Sequence, residues 1–198
     1  MLVLDLDKNQ PAMVLDLAKA LPMLKNLRGT LGWAPHPLFA ESTTQGYDLD
    51  IFLIGTNAAG KVTSTSDVIY FNNQFHTSGA LSVPIDNQTG VDDGDGEDEF
   101  FLAQLEKIPA TIAQVHVYVF IHEAEKRGQH FGMVADTHFD ITNEDTGEVV
   151  VRYQVTQNYS GQTALHVASI VRNAAGWEIH PVGDAGVFNP NQVLQAYV

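Results

Sequence analysis

Gln114-Val115-His116-Val117-Tyr118-Val119-Phe120-Ile121-His122 is the stretch on which the fold turns. Val115, Val117, Val119 and Ile121 share one side, and His116, Tyr118, Phe120 and His122 share the other, the period of two that marks a β-strand. Both sides are largely apolar, so the segment reads as a central strand. Outward from it, further runs rich in β-branched and aromatic residues read as strands over 48–54, 67–72, 131–136, 137–141, 148–155, 164–171 and 177–181. Turn signals stand between them at 57–60, 143–147, 159–161 and 173–176. Short strands at this spacing predict a mainly β protein, an antiparallel β-sandwich with a few short helices. Helical signals are limited to a turn after Pro109 and a C-terminal helix over 191–197. Residues 12–27 are apolar at too many positions to choose between helix and strand, and Pro22 interrupts them. No linker or internal repeat divides the 198 residues, so 1–198 reads as a single domain.

Composition narrows the function. With 44 % hydrophobic and 17 % charged residues the chain has an ordinary globular balance. Its 24 acidic against 10 basic residues give a net charge of −14, which repels nucleic-acid phosphates and anionic lipid headgroups. No apolar run is long enough to span a bilayer, so direct membrane insertion is not expected. Absence of cysteine removes disulfides, thiolate metal sites and Cys nucleophiles. Asp5 and Asp7 interrupt what would have to be the apolar core of a signal peptide, and the expected location is cytoplasmic.

The most unusual segment is Asp86-Asn87-Gln88-Thr89-Gly90-Val91-Asp92-Asp93-Gly94-Asp95-Gly96-Glu97-Asp98-Glu99. Between Lys61 and Lys107 there is no Lys or Arg to pair with these carboxylates. Like charges so close repel by about 1 kcal/mol or more per pair near a surface. An acidic run is ordinarily a solvated loop, but a hard dication offsets the repulsion directly. Calcium takes about 6 to 8 oxygen ligands from carboxylates, amide and backbone carbonyls and water, while magnesium demands stricter octahedral geometry. Gly90, Gly94 and Gly96 allow the tight turns that such convergence needs. The EF-hand pattern fails in every register; from Asp93, its required glycine falls on Asp98. Asp48 and Asp50 share a face at the start of a predicted strand, and Asp67, Asn72 and Asn73 bracket the next one. Loops at one end of a sandwich cluster in space, so these oxygens can join the acidic segment.

Taken in order, the segments Leu31-Gly32-Trp33, Tyr47-Asp48-Leu49-Asp50, Asp67-Val68-Ile69-Tyr70-Phe71-Asn72-Asn73, Asp86-Asn87-Gln88-Thr89-Gly90, Gly94-Asp95-Gly96-Glu97-Asp98-Glu99, Ile108-Pro109, Glu125-Lys126-Arg127-Gly128-Gln129-His130-Phe131-Gly132, Arg152-Tyr153 and Gly176-Trp177-Glu178 resemble the tellurium-resistance TerD domain family over almost the whole chain. The resemblance implies a calcium-binding β-sandwich that takes up more than one ion. It also implies a non-enzymatic role in tellurite and chemical stress resistance, through calcium-dependent assembly with sister stress-resistance proteins. The calcium ligands it implies are Asp48, Asp50, Asn72, Asn73, Asp86, Asn87, Asp93, Asp95, Glu97, Asp98 and Glu99, with Thr89 and Gly90 supplying backbone oxygens. The chain departs from the family pattern in Ala34 after Trp33, in Ile51-Phe52 after Asp50, in Pro84-Ile85, and in the longer acidic segment produced by Val91-Asp92-Asp93.

Other constellations are weaker. His116 and His122 lie about 20 Å apart by strand rise, too far to share one metal. His130 with His138 is a further pair to test. No Gly-x-Ser-x-Gly turn is present, and Val62 stands where a phosphate-binding loop ending in Gly60-Lys61 needs Ser or Thr. Arg152 and Arg172 are expected to pair with carboxylates across the sheet, and Trp33 and Trp177 to anchor the core. The alternative function is a metal-dependent hydrolase in which a carboxylate-bound dication activates water.

Overall fold

Nearly every run that alternates in the sequence is extended in the structure, a computed structural model that describes residues 2–5, 14–21, 23–39, 46–84, 98–154 and 159–198. In chain order the elements are β1 (Leu2–Asp5), β2 (Leu15–Asp16), α1 (Leu17–Ala20), β3 (Asn26–Pro35), β4 (Leu49–Thr56), β5 (Val68–Ile69), β6 (Leu81–Ser82), β7 (Glu99–Gln104), β8 (Gln114–Ile121), α2 (Ala124–Arg127), β9 (Val134–Asn143), β10 (Glu148–Gln154), β11 (Ala164–Arg172), β12 (Trp177–Gly186) and α3 (Pro190–Leu194). The strands form two sheets, ordered β1-β10-β9-β3-β7-β6 and β2-β12-β11-β8-β4-β5. Pairing is antiparallel except between β1 and β10, which run parallel. Among the described residues no helix is long and apolar enough to cross a membrane.

Alternation puts one face of each sheet into a shared core. Leu27, Leu31, Phe101, Phe139 and Tyr153 come from the first sheet, and Leu49, Ile51, Leu53, Val115, Val117, Val119 and Val167 from the second; all are buried in one cluster. Removing apolar surface from water at about 25 cal/mol per Å² is the main force that holds the sheets face to face. Packing is tight enough to dictate a residue type at position 29. A Cβ there would lie 2.0 Å from the Phe101 ring, so only glycine lets β3 pass beneath it.

Strand β8 has the predicted central place, between β4 and β11. Its second face is buried as well: Phe120 packs with Phe52 and Ala164, and Tyr118, Tyr70, Phe71 and Val193 close over them. Helix α3 and a following 3-10 turn, Gln195–Tyr197, occupy the stretch predicted to be helical. Asn189 caps α3 by accepting from the Gln192 N–H, and Pro190 opens it.

Three readings need correction. The segment 131–136 is not a separate strand: Phe131–Met133 is a 3-10 turn, capped by the His130 side chain. One strand, β9, then runs through residues predicted as two, because Asp136 bends the chain at φ 52 without ending it. The strand predicted over 67–72 is only β5, since Asn73 folds the chain back on Tyr70 through paired backbone hydrogen bonds of 2.8 and 3.2 Å. Strands β3 and β7 were not separately predicted. Glycine and the Trp33 motif interrupt the pattern of β3, and β7 follows directly on the acidic segment.

Candidate metal centre

The acidic segment returns to the described structure at Asp98, and β7 begins one residue later. Pairing of β7 with β3 sets Glu99 opposite Leu31. The Asp98 N–H donates to the Leu31 carbonyl at 2.9 Å. Asp98 Oδ2 in turn accepts the Trp33 N–H at 2.9 Å. Glu99 reaches further: its Oε2 accepts the N–H of Ile51 at 2.7 Å. Ile51 belongs to β4 in the other sheet, so this carboxylate bridges the two layers at one end of the sandwich.

Asp50 immediately precedes Ile51, and alternation puts it with Asp48 on the face of β4 opposite the core. Both acids meet the chain that leaves β8. The His122 N–H donates to the Asp48 carbonyl at 2.8 Å, and His122 Nδ1 lies 3.3 Å from Asp50 Oδ2. Arg127 Nη1, on α2, lies 3.7 Å from Asp48 Oδ2. Trp33 closes the circuit by donating its indole N–H to the Tyr47 carbonyl at 2.7 Å. Hydrogen bonds and ion pairs thus anchor Asp48, Asp50, Asp98 and Glu99 to elements of both sheets. Their exposures are 4, 3, 5 and 1 %. A carboxylate so buried is costly unless it is paired, hydrogen-bonded or coordinates a cation. Beside Asp50 a cleft of about 460 Å³ opens between Phe52, Phe71, His122 and Leu194.

The remaining predicted ligands divide. Asp86, Asn87, Thr89, Gly90, Asp93, Asp95 and Glu97 lie outside the described residues. Asn72 is exposed, and Asn73 donates its side-chain amide to the Val68 carbonyl at 2.6 Å, bracing the turn after β5. That turn adjoins the acids, since Phe71 meets the His122 ring edge-on at 5.5 Å. Asp67, a further oxygen donor by sequence, is held by a capping box instead: its Oδ2 accepts from Thr63 and Ser64, and Oδ1 lies 3.2 Å from His76. Among the described residues no group of three His, Asp or Glu side chains converges as a metal site. The donor set at this end nevertheless consists of hard oxygens, the type that suits calcium.

Arg127 and His122 are the members of this constellation that spacing analysis did not assign to it. Both lie within motifs already singled out, His122 at the end of the central strand and Arg127 in the 125–132 segment, but only tertiary pairing sets them against Asp48 and Asp50. Other expectations resolve simply. Arg152 grips its cross-strand neighbour Asp140 with two hydrogen bonds of 2.7 and 2.5 Å. Among the described residues Arg172 pairs with no carboxylate; it donates to the carbonyls of Ile108, Pro109 and Ile112 and stacks on Trp177 at 4.1 Å. Both tryptophans are buried. His130 and His138 each bond to nearby backbone and not to one another.

The sequence model of the TerD domain matches residues 4–197. The chain belongs to the TerD domain family. Among its TerD-family relatives, it is 36 % identical over 170 residues to the tellurium resistance protein TerD of Serratia marcescens, covering 84 % of each chain. It is 32 % identical over 168 residues to general stress protein 16U of Bacillus subtilis (strain 168), covering 85 % of this chain and 84 % of that one. With the stress response protein SCP2 of the same organism it shares 30 % identity over 190 residues, 92 % of each chain. A crystal structure of a homologue of telluride resistance protein (TerD) from Streptomyces coelicolor A3(2) superposes with a TM-score of 0.69 at 23 % identity, covering 86 % of this chain and 95 % of that one. That likeness supports the shared fold.

Proposed function

We propose that this TerD-family protein binds calcium, more than one ion, at the end of the sandwich where the acidic segment enters β7. It would act in the cytoplasm as a non-enzymatic module of tellurite and chemical stress resistance, through calcium-dependent assembly with sister stress-resistance proteins. One observation carries the reading: Asp48, Asp50, Asp98 and Glu99 are each buried, and Glu99, at the exit of the acidic segment, bonds across the sandwich to the residue that follows Asp50. Their oxygens, with those of Asp86, Asn87, Thr89, Gly90, Asp93, Asp95 and Glu97, match the donors calcium takes. A bound dication neutralises the carboxylates and cross-links β4 to β7, changing the surface that this end offers to a partner. The family's named stress-resistance relatives support the biological setting. No observation favours the hydrolase alternative.

The test is thermal unfolding of chelator-stripped protein with calcium and, separately, with magnesium. At a hundredfold the dissociation constant a ligand adds about 2.7 kcal/mol, which for a domain of this size raises Tm by about 5–10 °C. A calcium-selective rise is expected. An unchanged Tm, or an equal response to magnesium, refutes calcium binding here.

A further inference from the structure

Helix α2 holds its charges in an unusual arrangement beside Asp48. Glu123, which precedes it, takes φ 48, and Gly128, which follows it, takes φ 63, so the turn is bracketed by two left-handed residues. The left-handed conformation is unfavourable for a residue with a Cβ and persists only where surrounding contacts enforce it. Arg127, at the end of this helix, has a side chain 17 % exposed. Its guanidinium stands between two carboxylates: Nη1 is 3.7 Å from Asp48 Oδ2, and Nε is 3.7 Å from Glu123 Oε2. At these distances the guanidinium is ion-paired to both without a short hydrogen bond to either. Lys126 meanwhile holds Glu123 in place, with Nζ at 2.8 and 3.0 Å from its two oxygens.

Resting on the calcium reading above, we propose that Arg127 is the intramolecular rival of the incoming cation at Asp48, and that Glu123 receives it when the cation binds. Arg127 cannot escape repulsion by losing a proton, because a guanidinium stays charged in proteins. A dication placed within a few ångström of it is repelled twice as strongly as a single charge would be. The guanidinium must therefore move, and the carboxylate of Glu123 is already within 4 Å. On leaving Asp48 the guanidinium keeps and tightens the ion pair it already has with Glu123, so its charge is not stranded. Arg127 then sets the calcium concentration at which the site fills.

Calorimetric titration of the chelator-stripped protein with calcium tests this. Arg127→Gln removes the rival and raises affinity on the order of tenfold; Glu123→Gln removes the receiving carboxylate and lowers it. If Arg127 only braces Asp48, Arg127→Gln weakens calcium binding, and that result, or an unchanged affinity, overturns the proposal while the calcium reading stands. No binding to the wild-type protein overturns both. Should Arg127→Gln fail to fold, the Nε–H signal of Arg127 in the wild-type NMR spectrum decides. It shifts on calcium addition if the side chain changes partner, and an unmoved signal overturns the proposal.

Discussion

Replacing Glu99 separates its role in the fold from its role toward a cation. The side chain is 1 % exposed, and it accepts a hydrogen bond across the sandwich from the Ile51 N–H at 2.7 Å. Glu99→Ala leaves that N–H buried without its acceptor, at a cost of about 1–3 kcal/mol. Loss of the one buried methylene adds about 1 kcal/mol. Together these lower Tm by about 5–15 °C for a chain of this length. Glu99→Gln keeps the shape and offers an amide oxygen to Ile51, losing only the charge assistance, about 1 kcal/mol. Relief of repulsion from Asp50 and Asp98 opposes that loss, so the Gln variant is expected to melt near the wild type in chelator. The measurement is a melting curve for each variant in chelator and again in excess calcium. Glu99→Ala melting like the wild type in chelator would refute the bridging role. A full calcium-induced rise in Glu99→Gln would refute its role as a ligand.

Two predictions concern other parts of the fold. Burial pushes the imidazole of His116 down to about 4 from 6.5, and burial together with the neighbouring His116 pushes His166 down to about 3. Below pH 6.5 the unfolded chain therefore binds more protons than the folded one. The stability these neutral rings confer is complete above pH 6.5 and declines toward pH 4, by up to about 1.4 kcal/mol per pH unit for each ring. Denaturant midpoints between pH 7 and 4 should show the slope and His166→Gln should flatten it; an identical slope in the variant contradicts the assignment. The second concerns Asp140, whose side chain is 7 % exposed and gripped by an Arg152 that is 36 % exposed. Arg152→Ala leaves the acid buried without its fork and should cost about 1–3 kcal/mol, discounted for the exposure of the arginine. Arg152→Lys should recover only part of this, because an ammonium cannot make both bonds, and full recovery by urea denaturation would refute the bidentate argument.

The legible parts of this molecule are those governed by local periodicity. Strand β8 could be read because Val115, Val117, Val119 and Ile121 alternate with residues that are also buried. Helix α3, expected over 191–197, starts one residue earlier, at Pro190, where Asn189 caps it within four residues. Position 136 misled because a single left-handed residue bends β9 while its ladder with β3 continues on both sides. At the site, the acids themselves were visible as a run with no Lys or Arg near it in sequence, and Asp48 and Asp50 as a same-face pair. Invisible were the counter-charges: Arg127 lies 79 residues from Asp48 and His122 lies 72 from Asp50. No spacing rule brings such positions together; the antiparallel pairing of β4 with β8 does, by setting Leu49 opposite Ile121.

The described residues also hold two other buried acids, and the contrast with the four at the sandwich end bears on what those four are for. Asp67 is satisfied within a few residues of itself, by Thr63, Ser64 and His76, and serves to cap a turn. Asp140 is satisfied by its register partner on the next strand. Each of these bonds forms as soon as its own element forms, so each burial is explained by local structure. Asp48, Asp50, Asp98 and Glu99 differ because their bonds run between β3, β4, β7 and the α2 turn, across both sheets. Buried ionic groups are poor stabilisers, and well-packed apolar residues of similar volume commonly do as well or better. Stability alone therefore gives no reason to bury four carboxylates whose bonds run across both sheets. The cation proposed above would give one, because it would turn an electrostatic liability into a cross-link between the layers.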